Sequence, residues 1–335
     1  MENYDIAIII PTYNSEQYIK LCLDSIINNA DKKYKIQIII IDDGSTDNTN
    51  NICNSYAKRH NNIVYKLQKN QGVSIARNQG IYLANSKFIM FVDSDDYLCE
   101  NTIEECLDLI NDRDFLIGGY STFDSANILE KNVNVDFTGN VVEFSYNIEK
   151  WIYPPYLLSP WGKIFKTEII KRHNIKFLEG INYGEDAIFV INYLDKIQSV
   201  KSIKKIIYNH RVDNQNSLSA GYNKEMIDCD FLVNEYLKKF LKKNNNEDYQ
   251  KICDKRFIVN FSGNTRKLML SKLTHSQKKK IFYEEKEKYN TLEIFDNGAI
   301  ESLSEKITYI ALKNKLCFLL LYLHNLKRAY KKIGG

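Results

Sequence analysis

Asp93-Ser94-Asp95-Asp96 crowds three carboxylates into four residues. Such acids repel one another unless a cation or strong hydrogen-bond donors compensate. Hard oxygen ligands of this type suit Mg2+ or Mn2+, which share their coordination with substrate phosphates. A solvated acidic turn is the plain alternative, but the cluster directly follows the apolar run Phe88-Ile89-Met90-Phe91-Val92, which places it at the end of a buried strand. A second acidic turn, Asp42-Asp43-Gly44-Ser45-Thr46-Asp47, also closes an apolar run. Its glycine permits a turn that a β-carbon hinders, and a carboxylate there can accept a hydrogen bond from a nucleobase N–H. Asp43 is the functional candidate, and Ser45, Thr46 and Asp47 fit helix capping and turn formation.

The elements that must position these acids are legible as a winding pattern. Ile6-Ala7-Ile8-Ile9-Ile10 is a continuous β-branched run closed by Pro11, as expected of a strand buried on both faces. A helix follows, with Ser15 placed to cap it and Ile19, Cys22, Leu23, Ile26 and Ala30 forming one apolar stripe. The pattern repeats with a strand at 36–41, a helix carrying Ile52, Cys53, Tyr56 and Ala57, a strand at 63–67, a helix at 73–84 and a strand at 88–92. Such alternation predicts an α/β fold with a mainly parallel, Rossmann-like central sheet, flanked by helices on right-handed crossovers. Open sheets of this kind bind ligands beyond the carboxyl ends of their strands, here residues 11–14, 42–45 and 93–96.

Between about 115 and 210 the texture is mixed, with short strands at 115–118 and 199–208 and short helices at 167–172 and 186–195. After about residue 223 proline is absent, and helical patterns cover roughly 223–243, 247–271, 276–289 and 302–331. The expected organisation is therefore a nucleotide-binding domain over 1–222 and a helical C-terminal region over 223–335. With 26% charged residues and a net charge of only +4, no global field marks a nucleic-acid partner. The seven cysteines are an odd number without C-x-x-C spacing, which fits reduced core thiols and a cytoplasmic location. The start, Met1-Glu2-Asn3-Tyr4-Asp5, lacks a basic leader region, so no signal peptide is expected.

Four segments together carry a resemblance: Ile10-Pro11-Thr12-Tyr13-Asn14, Ile41-Asp42-Asp43-Gly44-Ser45-Thr46-Asp47, Ala76-Arg77-Asn78-Gln79-Gly80 and Phe91-Val92-Asp93-Ser94-Asp95-Asp96. In this order and spacing they resemble a bacterial family 2 glycosyltransferase of the GT-A fold. The resemblance implies a nucleotide-diphospho-sugar donor, inversion at the anomeric carbon, and Mn2+ or Mg2+ at a D-x-D motif. By position, Pro11 and Tyr13 would flank the base, Asp43 would read its imide N–H, and Arg77 would approach the diphosphate or ribose. Asp93 and Ser94 would contact donor, and Asp95 and Asp96 would hold metal, although the ribose and metal roles among the three acids stay undivided.

An inverting transfer needs a base for the acceptor hydroxyl and an electrophile for the leaving group. Gly184-Glu185-Asp186-Ala187-Ile188-Phe189 resembles the family's segment for that base, which makes Asp186 the candidate base and Glu185 an acceptor contact. Acids favoured at a helix N-terminus are the bland alternative. Ser159-Pro160-Trp161-Gly162-Lys163-Ile164-Phe165 is also similar to a pattern of bacterial members. Trp161 would there offer an indole face to the sugar, with core packing the alternative. Tyr208-Asn209-His210-Arg211, followed by Asn214, Asn216, Ser217 and Ser219, would form a loop closing over donor, with His210 or Arg211 reaching the metal or pyrophosphate.

The implied acceptor is a hydroxyl of a glycan or a lipid-linked saccharide in surface polysaccharide or glycoconjugate synthesis, and UDP is the nucleotide an imide-reading Asp43 suits. Residues 307–332 combine a short apolar core with Lys327, Arg328, Lys331 and Lys332. Its unbroken apolar core, Leu316 to Leu323, is far below the roughly 20 residues needed to span a bilayer, and Lys313 and Lys315 interrupt the longer window. It reads either as an interfacial helix at the cytoplasmic face of an inner membrane, or as a core helix or homo-oligomer contact. Two rival functions stand beside the transferase: a nucleotidyltransferase making nucleotide-sugars, disfavoured by Pro11-Thr12-Tyr13-Asn14 where a Gly-rich phosphate loop belongs, and a non-catalytic nucleotide-sugar-binding scaffold.

Overall fold

The computed structural model describes residues 4–29, 33–152, 155–181, 183–213, 222 and 224–289. Two compact units divide the chain: Met1–Ile181 with Glu185–Gln215, and Asn182–Gly184 with Asn216–Gly335. The apolar and basic segment at 307–332 lies outside the described residues, as do Asn214, Asn216, Ser217 and Ser219. Among the described residues no helix is long and apolar enough to cross a membrane.

The first unit is built on one ten-stranded sheet. Its parallel half consists of β1 (Tyr4–Thr12), β2 (Ile36–Asp42), β3 (Ile63–Leu67) and β4 (Ser86–Phe91), in spatial order β3-β2-β1-β4. Helices α1 (Ile19–Asn28), α2 (Thr49–Arg59) and α3 (Val73–Leu83) are the crossovers. The β-branched runs form strands for the expected reason: Ile6, Ile8, Ile9 and Ile10 are wholly buried, as are Ile39, Ile40 and Ile41. The chain winds outward from β1 through β2 to β3, then returns to place β4 on the other side of β1. This reversal opens a crevice at the carboxyl ends of β1 and β4. α3 lies so close to β1 that a Cβ on Gly80 would come within 2.3 Å of an Ile9 methyl.

The other half of the sheet departs from the parallel expectation. After β5 (Tyr97–Leu98) and α4 (Thr102–Ile110) come β6 (Phe115–Phe123), β7 (Ile128–Asn132) and β8 (Phe137–Asn140). Short helices α5 (Val141–Tyr146) and α6 (Glu149–Ile152) and a 3-10 turn, Pro155–Leu158, lead into β9 (Lys163–Lys166). Then follow α7 (Thr167–Arg172), α8 (Glu185–Leu194) and the long β10 (Ser199–Arg211). β9 inserts antiparallel between β4 and β6, β10 runs parallel to β6, and β5 and β8 pair antiparallel with β10, so the sheet is mixed. Because β9 is antiparallel to both β4 and β6, β6 and β10 run parallel to the first four strands.

The second unit contains α9 (Glu225–Lys243), α10 (Tyr249–Leu270) and α11 (His275–Tyr289). Phe257, Phe261, Leu268, Met269 and Phe282 form its core. A partly buried polar ladder ties α9 to α10: Asp230 accepts from Arg256 at 3.1 Å and Asn260 at 2.8 Å, while Arg256 also donates to Asn234 at 2.8 Å.

Candidate active site

The loops after β1 and β2 are bound to each other. The Asn14 backbone N–H donates to Ser45 Oγ at 2.9 Å, and the Thr46 N–H donates to Asn14 Oδ1 at 2.8 Å. Two residues on, Glu16 N–H donates to Asp47 and Asn48 N–H donates to Glu16. Asn14 adopts φ +48° and Gly44 φ +81°, and a Cβ on Gly44 would meet the Asn70 nitrogen at 2.9 Å. Ser15 does not cap α1. Its hydroxyl bonds Ser94 Oγ at 2.7 Å, joining the β1 loop to the acidic loop after β4. Ser45 and Thr46 likewise serve Asn14, whereas Asp47 accepts from the Thr49 N–H at the start of α2.

Pro11 is buried in β1 opposite Ile41, and Tyr13 projects with about half its surface exposed. Asp43 is buried and accepts three hydrogen bonds, from Gln68 Nε2 at 2.8 Å, Gln71 N at 2.9 Å and Gly72 N at 2.8 Å. It thereby fixes the turn that starts α3. A carboxylate offers about four acceptor sites, so one remains for a ligand N–H.

The acids after β4 divide into two environments. Asp96 is buried, and its carboxylate is held from β10 by the Arg211 N–H at 2.7 Å, the Tyr208 hydroxyl at 2.7 Å and His210 Nδ1 at 3.2 Å. Burial pushes its carboxyl up to about 6, against the pull of His210. Burial lowers His210 in turn, but the Asp96 hydrogen bond and charge prevail and hold it above the ordinary histidine value. Asp93 and Asp95 remain partly exposed. Among the described residues no three His, Cys, Asp or Glu side chains are grouped so as to hold a metal ion.

The segment 208–211 is the end of a strand, not a loop. Alternation along it sends Tyr208 and His210 to the same face, where both rings stack on the Trp161 indole at 4.8 and 4.9 Å. Trp161 is only 9% exposed, so it serves as a wall behind His210 and does not present an open platform. Arg211 is also committed: its guanidinium lies over the rings of Tyr18 and Phe123, donates to the Asp95 carbonyl at 3.1 Å and pairs with Asp213 at 3.2 Å. It braces the acidic loop.

Arg77 occupies the centre. Its side chain is 5% exposed and its guanidinium bridges Asp186 at 2.6 Å and Asp93 at 3.0 Å, with Glu185 at 3.8 Å. The structure thus brings Asp93, Glu185 and Asp186 around one cation. Glu185 and Asp186 form the acidic first turn of α8. Burial pushes the Asp186 carboxyl up to about 8, with Arg77 opposing and the Glu185 charge adding to the rise. Burial raises Glu185 too, again opposed by Arg77. Tyr208, Asn14 and Asn78 join the site although spacing alone did not mark their roles. The i, i+2 placement of Tyr208 and His210 was the available signal.

The fold and the site define an open α/β protein in which acids from a strand end and from the start of α8 meet on a buried arginine. Residues 7–173, about half of the chain, match the model for Glycosyl transferase family 2. The chain belongs to that family. It is 28% identical over 265 residues to putative glycosyltransferase EpsH of Bacillus subtilis, covering 77% of this chain and 75% of that protein. It is 33% identical over 215 residues to the minor teichoic acid biosynthesis protein GgaB of the same organism, covering 63% of this chain but only 23% of GgaB. A crystal structure of S. aureus TarS 1–349 in complex with UDP-GlcNAc aligns with a TM-score of 0.67 at 19% identity, covering 97% of this chain and 92% of that one. This likeness establishes the GT-A fold.

Proposed function

We propose that the chain transfers a sugar from a UDP-linked donor to a hydroxyl of a surface polysaccharide or teichoic-acid-like acceptor, with inversion at the anomeric carbon. The observation that carries this reading is the Arg77 bridge, which holds a strand-end acid, Asp93, and a separate carboxylate, Asp186, on one guanidinium. The donor side and the acceptor side of a displacement lie within a single side chain's span. UDP-GlcNAc bound to the TarS structure and the part of GgaB in minor teichoic acid biosynthesis support the substrate class.

In this reading Pro11 and Tyr13 flank the base and Asp43 accepts its imide N–H. Asp186 takes the acceptor hydroxyl proton as that oxygen bonds to the anomeric carbon. The bond from that carbon to the diphosphate breaks with its electron pair leaving on UDP, and no covalent intermediate forms. A base with a raised pKa is matched to this task. Glu185 lies beside it on the acceptor side.

Mg2+ and Mn2+ take one or two protein ligands and complete their shell with substrate phosphate. The donor set fits this mode: Asp95 is partly exposed, and His210 has Nδ1 on Asp96, as an orienting carboxylate does for a metal-binding imidazole. Asp95 and His210 would hold the cation. Asp96, expected to be a ligand, has both oxygens engaged from β10 and orients His210 instead. When bound, the cation offsets negative charge on the departing diphosphate.

The test is UDP release from UDP-GlcNAc and UDP-glucose with Mn2+, using water or polyol phosphate as acceptor, with product configuration read by NMR. Inverted product and an Asp186→Asn variant that binds UDP but loses turnover are expected. Retained configuration, or pyrophosphate release from UTP and a sugar phosphate, defeats the proposal.

A further inference from the structure

α3 is joined to the segment leading into α8 by a side-chain amide. Asn78 Nδ2 donates to the Phe177 carbonyl at 2.9 Å, and Asn78 Oδ1 accepts from the Phe177 N–H at 2.9 Å. Both backbone groups of a buried residue are thus satisfied by one residue 99 positions away. The Phe177 ring stacks face to face on Phe189 of α8, with centroids 4.0 Å apart and planes within 3°. Both rings meet Phe91 edge-on, at 5.3 and 5.5 Å, and the Arg77 guanidinium lies 5.1 Å from the Phe177 ring centre. Phe189 stands three residues after Asp186 and four after Glu185, so the three share one face of α8.

We infer that Asn78 is a positioning residue for Asp186: by clamping Phe177, and through its stack on Phe189, it fixes the rotation of α8 that aims the carboxylate at Arg77. The inference rests on the reading of Asp186 as the base. Arg77 and Asn78 then act as a consecutive pair, the first holding the Asp186 carboxylate directly and the second holding the helix that carries it. Only a planar amide supplies a donor and an acceptor at this spacing, which explains asparagine at this position.

Misplacing a reacting group by about 1 Å costs on the order of 100-fold in rate. Asn78→Leu, similar in size but without either bond, is therefore expected to lower kcat for UDP release from UDP-GlcNAc roughly 10- to 100-fold. Its affinity for UDP with Mn2+, measured by calorimetry, is expected to stay within about twofold, because both polar atoms of the Asn78 side chain are spent on the Phe177 backbone. Phe177→Leu leaves the amide clamp but removes the stack. It is expected to show the same kcat-specific loss, and the Asn78→Leu/Phe177→Leu double variant should lose no more than the worse single one, as links of one chain do. Wild-type kcat in either folded single variant, parallel loss of kcat and UDP affinity, or multiplicative losses in the double variant overturn the inference. If Asn78→Leu does not fold, Phe177→Leu decides by the same criteria. An Asp186→Asn control separates the two levels: full turnover there removes the base assignment itself, whereas a dead control with normal Asn78 and Phe177 variants removes only the clamp.

Discussion

Replacing Arg77 by methionine keeps the apolar stem against Phe177 and deletes the charge. Asp93, Glu185 and Asp186, at 3.0, 3.8 and 2.6 Å from the guanidinium, would then face one another with nothing to offset them. At an effective dielectric of about 20, a unit pair near 4 Å is worth about 4 kcal/mol. Asp93 and Asp186 are 27% and 29% exposed, so solvent screens each of them. Removing one partner of a buried pair costs about 3–5 kcal/mol, and we take about 4 kcal/mol here. For a unit of this size each kcal/mol moves the melting temperature by about 2–4 °C, which gives a fall of roughly 10 °C by scanning calorimetry at about pH 9, where Asp186 is ionised.

The pH dependence has a definite sign. Without Arg77, burial and mutual repulsion hold the Glu185 and Asp186 carboxyl pKa values in the folded state above those of the unfolded chain. The penalty is therefore full above the folded values and shrinks as pH falls through them toward the unfolded ones. The gap between variant and wild type should narrow from pH 8 to pH 5. A variant melting within about 2 °C of wild type, or a gap that widens on acidification, refutes the argument that Arg77 is an electrostatic keystone.

Four further outcomes are expected. Because Asp186 must be ionised to act as base and its carboxyl is pushed up to about 8, kcat/KM for UDP release should rise with pH through that value and level off above it; a profile flat from pH 6 to 9 contradicts the assignment. Gly44→Ala forces a Cβ to 2.9 Å from the Asn70 nitrogen at φ +81°, so about 1–3 kcal/mol of stability should be lost together with UDP affinity, measured by melting and calorimetry. Arg256→Met strands Asp230 between α9 and α10 and should lower the stability of the helical unit by about 3 kcal/mol in denaturant titration. Chelation by EDTA should stop UDP release and added Mn2+ should restore it, whereas unaffected turnover argues that Arg77 and the backbone alone manage the leaving group.

What was legible from residue patterns was the part that repeats. Ile6 to Ile10 and Ile36 to Ile41 announce buried strands because no polar residue but Gln37 interrupts them, and the stripes of α9, α10 and α11 are long enough to mark helices within a few residues. β9 was hidden by its own composition: four residues flanked by lysines, with Lys163 wholly buried and its ammonium satisfied by the Tyr156 and Trp161 carbonyls at 2.7 and 3.1 Å. A charge inside a core strand defeats any rule based on hydrophobic alternation. The motif acids could be found one by one, but not their partners. Arg77 meets Asp93 across 16 positions and Asp186 across 109, and no local spacing encodes either contact. The same limit applies to Trp161, whose surroundings on β10 decide whether its indole faces a sugar or a histidine.

The dependence of the acidic loop on β10 bears on how the protein matures. Asp96 and the Asp93 amide find their partners at Tyr208, His210 and Arg211, between 112 and 115 positions later. Once residues 1–96 are made, Ser15 and Arg77 are already available to hold Ser94 and Asp93, yet the Asp96 carboxylate and the Asp93 amide lack their β10 partners until that strand docks beside β6. Contacts of such sequence separation form late. On the proposed reading, UDP affinity is expected only once the sheet is complete. UDP binding would therefore serve as a probe of a finished fold, and a fragment ending ahead of Ser199 should fail to bind it even if its parallel strands assemble.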